Sequence, residues 1–148
     1  MRTVPHYISG NTVEGQSGRF GDIYNPSTGE VQAQVQLATQ DELSEAVEVA
    51  LAAQQGWSET NPQRRARVMF KFKELLEANM DELAAILSSE HGKVIADSKG
   101  DIQRGLEVIE FACGIPHLLK GEYTEGAGPG IDVFSVRQPL GVVAGITP

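Results

Sequence analysis

The run Leu140-Gly-Val-Val-Ala-Gly-Ile146, entered through Pro139, constrains this chain more than any other stretch. It is short, apolar, β-branched and interrupted by glycine, the pattern of a strand buried on both faces in a parallel sheet. A buried strand needs neighbours on both sides. Only Thr147 and Pro148 follow the run, so no later segment can pair with it or cover it. Either another chain supplies the neighbours, or this polypeptide is the front part of a longer protein. We expect the second.

A chain of 148 residues has room for one domain of ordinary size. Its 41% hydrophobic and 22% charged content is that of a soluble globular chain rather than a disordered one. The formal net charge is -8, from 12 basic and 20 acidic side chains. That argues against nucleic acid and against an anionic membrane as partner, because both call for a basic surface. A local basic site for a small anion stays open. One cysteine, Cys113, excludes an internal disulfide and fits a reducing compartment. No apolar stretch follows Arg2, so no secretory signal is visible. No apolar run approaches the length of a membrane span. The expected location is cytoplasmic, and a mature mitochondrial protein would look the same.

The chain divides into three zones with no internal repeat. Residues 6–37 read as β. Tyr7-Ile-Ser-Gly-Asn-Thr-Val13 is a short strand broken by a Gly-Asn turn, and a glycine-rich stretch from Gly15 to Gly21 follows. Asn25-Pro-Ser-Thr-Gly29 is turn chemistry, with proline presetting φ and glycine tolerating positive φ at the exit. Val31, Ala33, Val35 and Leu37 then alternate with Gln32, Gln34 and Gln36, a period-two strand with one polar face.

Residues 39–114 read as helical. Thr39 with Glu42 makes a capping box. Leu43, Ala46, Val47, Ala50 and Leu51 recur at helical spacing up to a break at Gly56-Trp57. Asn61-Pro62 places an N-cap before a proline at the first helical position. Asn79 with Glu82 repeats the capping box, and Gly92 ends that helix. A last helix is expected from about Val94 to Cys113. Ile102, Leu106, Ile109 and Cys113 form one stripe, while Val108 and Phe111 lie on another side, so burial on two faces is expected. Residues 115–148 lose helical periodicity. Gly121 to Gly130 is rich in glycine, with Gly126-Ala-Gly-Pro-Gly130 reading as plain loop; Asp132-Val-Phe-Ser-Val-Arg137 alternates like a strand, and the apolar run closes the zone.

Chemistry-bearing patterns are sparse. There is no His-Glu-x-x-His and no Cys/His metal spacing. Histidines stand at 6, 91 and 117. His91 sits beside a helix-ending glycine, where a cation complements the helix terminus. Gly126-Ala-Gly-Pro-Gly130 lacks the strand–loop–helix setting of a phosphate loop. Cys113 shares a stripe with Ile109 and Leu106 and reads as a buried small hydrophobe. Arg64, Arg65 and Arg67 read as a solvated face.

Arg104 stands out. Val108 and Phe111 follow it at i+4 and i+7, so its side chain runs along an apolar line. An arginine there needs an anionic partner. Asp101 or Glu107, each three residues away, could supply one by local helical pairing. The alternative partner is a substrate carboxylate, since the planar guanidinium suits bidentate capture.

Six ordered blocks carry a resemblance across nearly the whole chain. They are Asn25-Pro-Ser-Thr-Gly-Glu-Val31, Gly56-Trp57, Arg64-Arg-Ala-Arg67, Glu90-His-Gly-Lys93, Gly100 to Ala112, and Arg137-Gln-Pro-Leu-Gly-Val-Val-Ala-Gly-Ile-Thr-Pro148. In this order they resemble the N-terminal part of the aldehyde dehydrogenase superfamily. The Gly100-Asp-x-x-Arg-Gly-Leu-Glu-Val108 block and the Ala-Gly-Ile-x-Pro ending are most similar to its CoA-acylating methylmalonate-semialdehyde dehydrogenases.

The resemblance implies an α/β fold of which this chain supplies the β-hairpin region, the helical layer, the bridging strands and the first strand of the NAD domain. In the family a cysteine attacks the aldehyde, an asparagine and a backbone N–H hold the oxyanion, and hydride passes to NAD. The acylating branch releases its thioester to coenzyme A as co-substrate. The family's nucleophile and oxyanion asparagine both lie beyond residue 148, and Cys113 does not match the nucleophile's motif. The chain alone is therefore expected to be inactive.

Within the resemblance, the helix of Arg104 lines the substrate entrance. A semialdehyde that carries a carboxylate gives this arginine a reason to exist. Ile146, Thr147 and Pro148 match the strand end where the NAD pocket begins, with backbone and edge contacts to offer. No metal is implied. Two other functions stand beside this one: a hydrolytic aldehyde dehydrogenase of the succinate-semialdehyde type, and a free-standing binding module without catalysis.

The parent is expected to be a homo-oligomer, since the family pairs its bridging strands across subunits. On its own the chain would leave the edges and apolar surface of residues 132–146 uncovered, and it is expected to self-associate or exchange strands. Sedimentation velocity should show species heavier than 15.9 kDa; a sharp monomer boundary would count against it.

Overall fold

The computed structural model describes residues 1–147. Three short strands open the chain: β1 (Arg2–Val4), β2 (His6–Ile8) and β3 (Asn11–Val13). β2 and β3 form an antiparallel hairpin closed by Ser9 and Gly10, at φ 55 and 77. Positive φ at both central residues matches the right-handed twist of the strands. β4 (Phe20–Tyr24) and β5 (Val31–Gln36) pair antiparallel, and β1 adds parallel to β5, giving the order β1-β5-β4. The Asn25–Gly29 turn joins β4 to β5 as its chemistry predicts. Asn25 Oδ1 accepts from the Ser27 amide at 2.9 Å, its carbonyl accepts from the Gly29 amide at 2.8 Å, and Gly29 stands at φ 76.

Four long helices follow: α1 (Gln40–Glu59), α2 (Pro62–Ala78), α3 (Met80–His91) and α4 (Ile95–Cys113). The Thr39–Glu42 capping box is present in both directions, at 3.1 and 2.7 Å. Asn61 caps α2 through the Gln63 amide, with Pro62 at the first helical position. Both α2 and α3 pack on α4. The residues they bury are mostly small, Ala66 on α2, Ala84 on α3 and Ser98 on α4, with Leu106 the one large apolar residue fully inside among the described residues. Ser98 is buried but satisfied, its hydroxyl 2.8 Å from that of Ser88.

The sheet docks on the end of α3. Gly92 stops that helix in the left-handed conformation, at φ 84, with its amide on the Ser88 carbonyl at 2.8 Å. A Cβ built on Gly92 would lie 3.0 Å from Pro26 Cγ in the β4–β5 turn. Gln32 Nε2 donates to the Ser89 carbonyl at 3.2 Å, and Arg2 pairs with Glu90 at 3.6 Å.

Several expectations are corrected. α1 runs past Gly56-Trp57 to Glu59, because one glycine costs a long helix only about 1 kcal/mol. Asn79 makes no capping box; its side chain turns back to the Leu75 carbonyl at 2.7 Å and closes α2 instead. α4 is covered on one face only, with Val108 and Phe111 each 68% exposed. The zone after Cys113 holds a one-turn helix, α5 (Ile115–Leu118), that periodicity could not reveal. The glycine-rich stretch is not plain loop. It contains β6 (Tyr123–Gly128), which pairs with β7 (Ile131–Phe134), and Gly126 and Gly130 supply positive φ at the irregular end and the turn. The Asp132 carboxylate holds this hairpin, accepting from the Tyr123 hydroxyl at 2.7 Å and the Gly126 amide at 2.9 Å.

The apolar run Leu140–Ile146 forms no strand, with Leu140 96% and Ile146 103% exposed. A strand exists through its ladder, and no segment among the described residues pairs with it. Exposed apolar side chains recur elsewhere, on α1 (Leu43, Leu51, Trp57) and α2 (Val68, Phe72, Leu75). The accessible surface totals 11295 Å². A globular monomer of this mass exposes about 7,300 Å², so the chain shows about half as much again.

The left-handed turn yields the fold's sharpest mutational contrast. Gly92→Ala should lower the unfolding free energy by about 1–2 kcal/mol, through backbone strain and the approach to Pro26. Gly56→Ala, with nothing within 4 Å of the new methyl, should raise it by about 0.4–1 kcal/mol. Urea unfolding of both variants measures the difference.

Candidate functional site

α4 presents Arg104 midway along its length, one turn beyond Asp101. The two are joined, Arg104 Nη1 donating to Asp101 Oδ1 at 2.7 Å. The local pairing that the sequence offered with Asp101 is therefore made. It does not exhaust the guanidinium, because the side chain is 75% exposed and only Nη1 is used. The second nitrogen of the fork and Nε keep their donors.

Asp101 has a further partner that no helical spacing predicts. Lys93 Nζ donates to Asp101 Oδ2. Lys93 follows Gly92 directly, so the turn that ends α3 also swings this lysine across the start of α4. The pair is more sheltered than the arginine, at 21% exposure for Lys93 and 39% for Asp101. An open depression of about 380 Å³ lies here, lined by Lys93, Ala96, Asp97, Gly100, Asp101 and Arg104. A Cβ at Gly100 would come within 4.0 Å of Arg104 Nη1, so the helix surface lies close beneath the guanidinium.

The Lys93 hydrogen bond, reinforced by the charges of Lys93, Arg104 and His91, holds the Asp101 carboxyl below the ordinary carboxylate range, against a smaller opposing effect of burial. Asp101 is thus ionised at neutral pH and through mild acid.

The other expected site residues are placed as follows. Ile146 and Thr147 are exposed, and no hydrogen bond joins them to Arg104 among the described residues. Pro148 lies outside the described residues. Cys113 is half-buried rather than buried. It lines a second depression with Arg67, His117 and Lys120. Arg64 and Arg67 are exposed and Arg65 is half-buried. His91 occupies the last turn of α3, as its neighbouring glycine suggested. No helix among the described residues is long and apolar enough to cross a membrane.

This chain matches the aldehyde dehydrogenase family over residues 12–148, and it belongs to that family. Among its relatives, the malonate-semialdehyde dehydrogenase of Pseudomonas aeruginosa is 47% identical over 148 residues, all of this chain and 30% of the relative. The acylating, mitochondrial methylmalonate-semialdehyde dehydrogenase of Arabidopsis thaliana is 49% identical over 145 residues, 98% of this chain and 24% of the relative. The chain thus spans less than a third of the length of these curated relatives.

Among solved structures, the methylmalonate-semialdehyde dehydrogenase of Oceanimonas doudoroffii superposes with a TM-score of 0.89 at 45% identity, over 95% of this chain and 28% of that one. A protein of Sinorhizobium meliloti 1021, provisionally assigned the same activity and solved with NAD, gives 0.90 at 62% identity, over 95% and 29%. The fold is the mixed α/β arrangement of the N-terminal part of these enzymes.

The Lys93–Asp101 pair makes a titration prediction. With a depressed folded pKa, the stabilisation from Asp101 is present above its unfolded pKa and is lost as pH falls through the folded value. Carbon-detected NMR should place the Asp101 midpoint below the ordinary carboxylate range. Lys93→Met should move it upward.

Proposed function

We propose that this chain is the N-terminal portion of an NAD-dependent, CoA-acylating malonate- or methylmalonate-semialdehyde dehydrogenase, in which Arg104 binds the substrate carboxylate. The observation that carries this reading is the state of Arg104: exposed, held at one nitrogen by Asp101, and free at its others. The curated relatives described above are named for semialdehydes that bear a carboxylate. A carboxylate needs a cationic, planar donor set, and Arg104 offers one.

The overall chemistry balances. A malonate semialdehyde, oxidised NAD and coenzyme A would give acetyl-CoA, carbon dioxide and NADH. The aldehyde hydrogen leaves as hydride, the thiol sulfur bonds to the carbonyl carbon, and the thiol proton replaces the lost carboxylate on the neighbouring carbon. The thioester carbonyl beside that carbon stabilises the charge left as carbon dioxide departs. In this scheme the nucleophilic cysteine and the oxyanion asparagine are supplied from beyond residue 148, and the chain by itself is inactive. The part assigned to this chain is to bind and orient the substrate at its charged end, an entropic contribution to rate as much as to affinity.

Bound NAD would accept the hydride. Residues 146–147 fit a contribution to its pocket in one respect: they are exposed, leaving backbone groups and edges to offer. They carry no charged or aromatic group that could hold it unaided.

Turnover by the full-length enzyme tests the reading through NADH absorbance, with malonate or methylmalonate semialdehyde, with and without coenzyme A. Wild type should need coenzyme A. Arg104→Ala should raise KM by about 10- to 100-fold, the range for loss of a charge-assisted hydrogen bond. Turnover without coenzyme A, indifferent to Arg104, would instead assign the protein to the hydrolytic branch and leave Arg104 a structural ion pair.

A further inference from the structure

We propose that Asp101, anchored by Lys93, is the positioning residue that aims Arg104 at the substrate carboxylate. This rests on the assignment of Arg104 made above and extends it to two residues that touch no substrate.

The argument begins with flexibility. Arg104 is 75% exposed, and an arginine side chain carries about 2 kcal/mol of rotamer entropy. Left free, it would lose that entropy each time an anion bound. Asp101 accepts from one nitrogen at 2.7 Å and so narrows the positions of the fork before substrate arrives. Preorganisation of this kind improves binding without any new contact.

Charge raises the opposite problem. An Asp–Arg pair by itself is neutral, and its carboxylate would repel an incoming one. Lys93 removes that difficulty. It occupies Asp101 Oδ2 while Arg104 occupies Oδ1, so the two cations share one carboxylate through different oxygens. The triad carries one net positive charge, and the most exposed of its members is Arg104. Asp97 lines the same depression but is exposed and makes no ion pair among the described residues. The ion pairs in this depression are therefore those of the triad.

Geometry points the same way. Asp101 is tethered from the α3 side of the turn and Arg104 from within α4. A one-sided pair on a single helix could swing with its own rotamers. Here the anchor comes across the turn, from a lysine only 21% exposed.

The experiment is steady-state kinetics of the full-length enzyme with two substrates, a carboxylate-bearing semialdehyde and propanal, which has the same reacting group and no charge. Asp101→Asn should raise KM for the semialdehyde about fivefold, with kcat and the propanal KM little changed. Lys93→Met should do the same, since it leaves a neutral Asp–Arg pair. Asp101→Glu should restore part of the loss. If KM rises equally for both substrates, or kcat falls for both, Asp101 and Lys93 merely support the fold and the proposal is wrong. If Arg104→Ala raises the semialdehyde KM while neither Asp101→Asn nor Lys93→Met does, the positioning role alone fails. If Arg104→Ala is also without effect, the carboxylate assignment beneath it fails as well.

Discussion

The left-handed turn at Gly92 is the constraint on which the rest of the structure depends. It ends α3, brings the β4–β5 turn against the end of that helix through Pro26, and reverses the chain into α4. It also delivers Lys93 to Asp101, eight residues further on. Glycine is required twice over, once for the positive φ and once for the approach of Pro26. One backbone conformation therefore couples the sheet, the helical layer and the charged triad.

Around that turn the packing is close because the residues are small. Ala66, Ala84 and Ser98 let α2 and α3 approach α4, and Leu106 fills the space between them. This is a narrow core for so long a chain. Its merit lies in what it positions: α4 is held firmly on its inner face while Arg104 and its neighbours face outward. The same helix thus contributes Ser98 and Leu106 to the buried interior and carries the candidate chemistry on its outer side, and precise sites are built on rigid elements.

The parts of the fold that were legible in the sequence are those governed by local chemistry. The Thr39 capping box, the Asn61-Pro62 start, the Asn25–Gly29 turn and the Gly92 stop all depend on side chains within a few residues of the backbone they satisfy. The failures have a common cause. Asn79 has two nearby backbone ends to serve and closes the earlier helix. The strand β6 hides in glycines because its partner, not its composition, makes it a strand. The run at Leu140 has the composition of a strand and no partner among the described residues. At the site, the Asp101–Arg104 contact follows from an i,i+3 spacing, whereas Lys93 reaches Asp101 across a turn whose geometry no periodicity encodes. The resemblance to aldehyde dehydrogenases was legible in ordered motifs, and the family match bears it out over residues 12–148.

Surface and site obey different rules in this chain. Large apolar side chains stand exposed on α1, on the outer face of α4 and along residues 140–146, and the total accessible surface is about half as much again as a globular monomer of this mass leaves open. The triad is the opposite case. Its partners are three and eight residues apart, its anchor is the α3–α4 turn, and none of its contacts calls on those open faces. Covering the apolar surface would sharpen the triad electrostatically, since excluding water strengthens each charge, but it would not have to create the geometry. Arg104 is in this sense oriented before anything docks beside it. On the proposed reading this chain would build the carboxylate-binding half of the site, and the chemistry at the other end of the substrate would come from residues beyond 148.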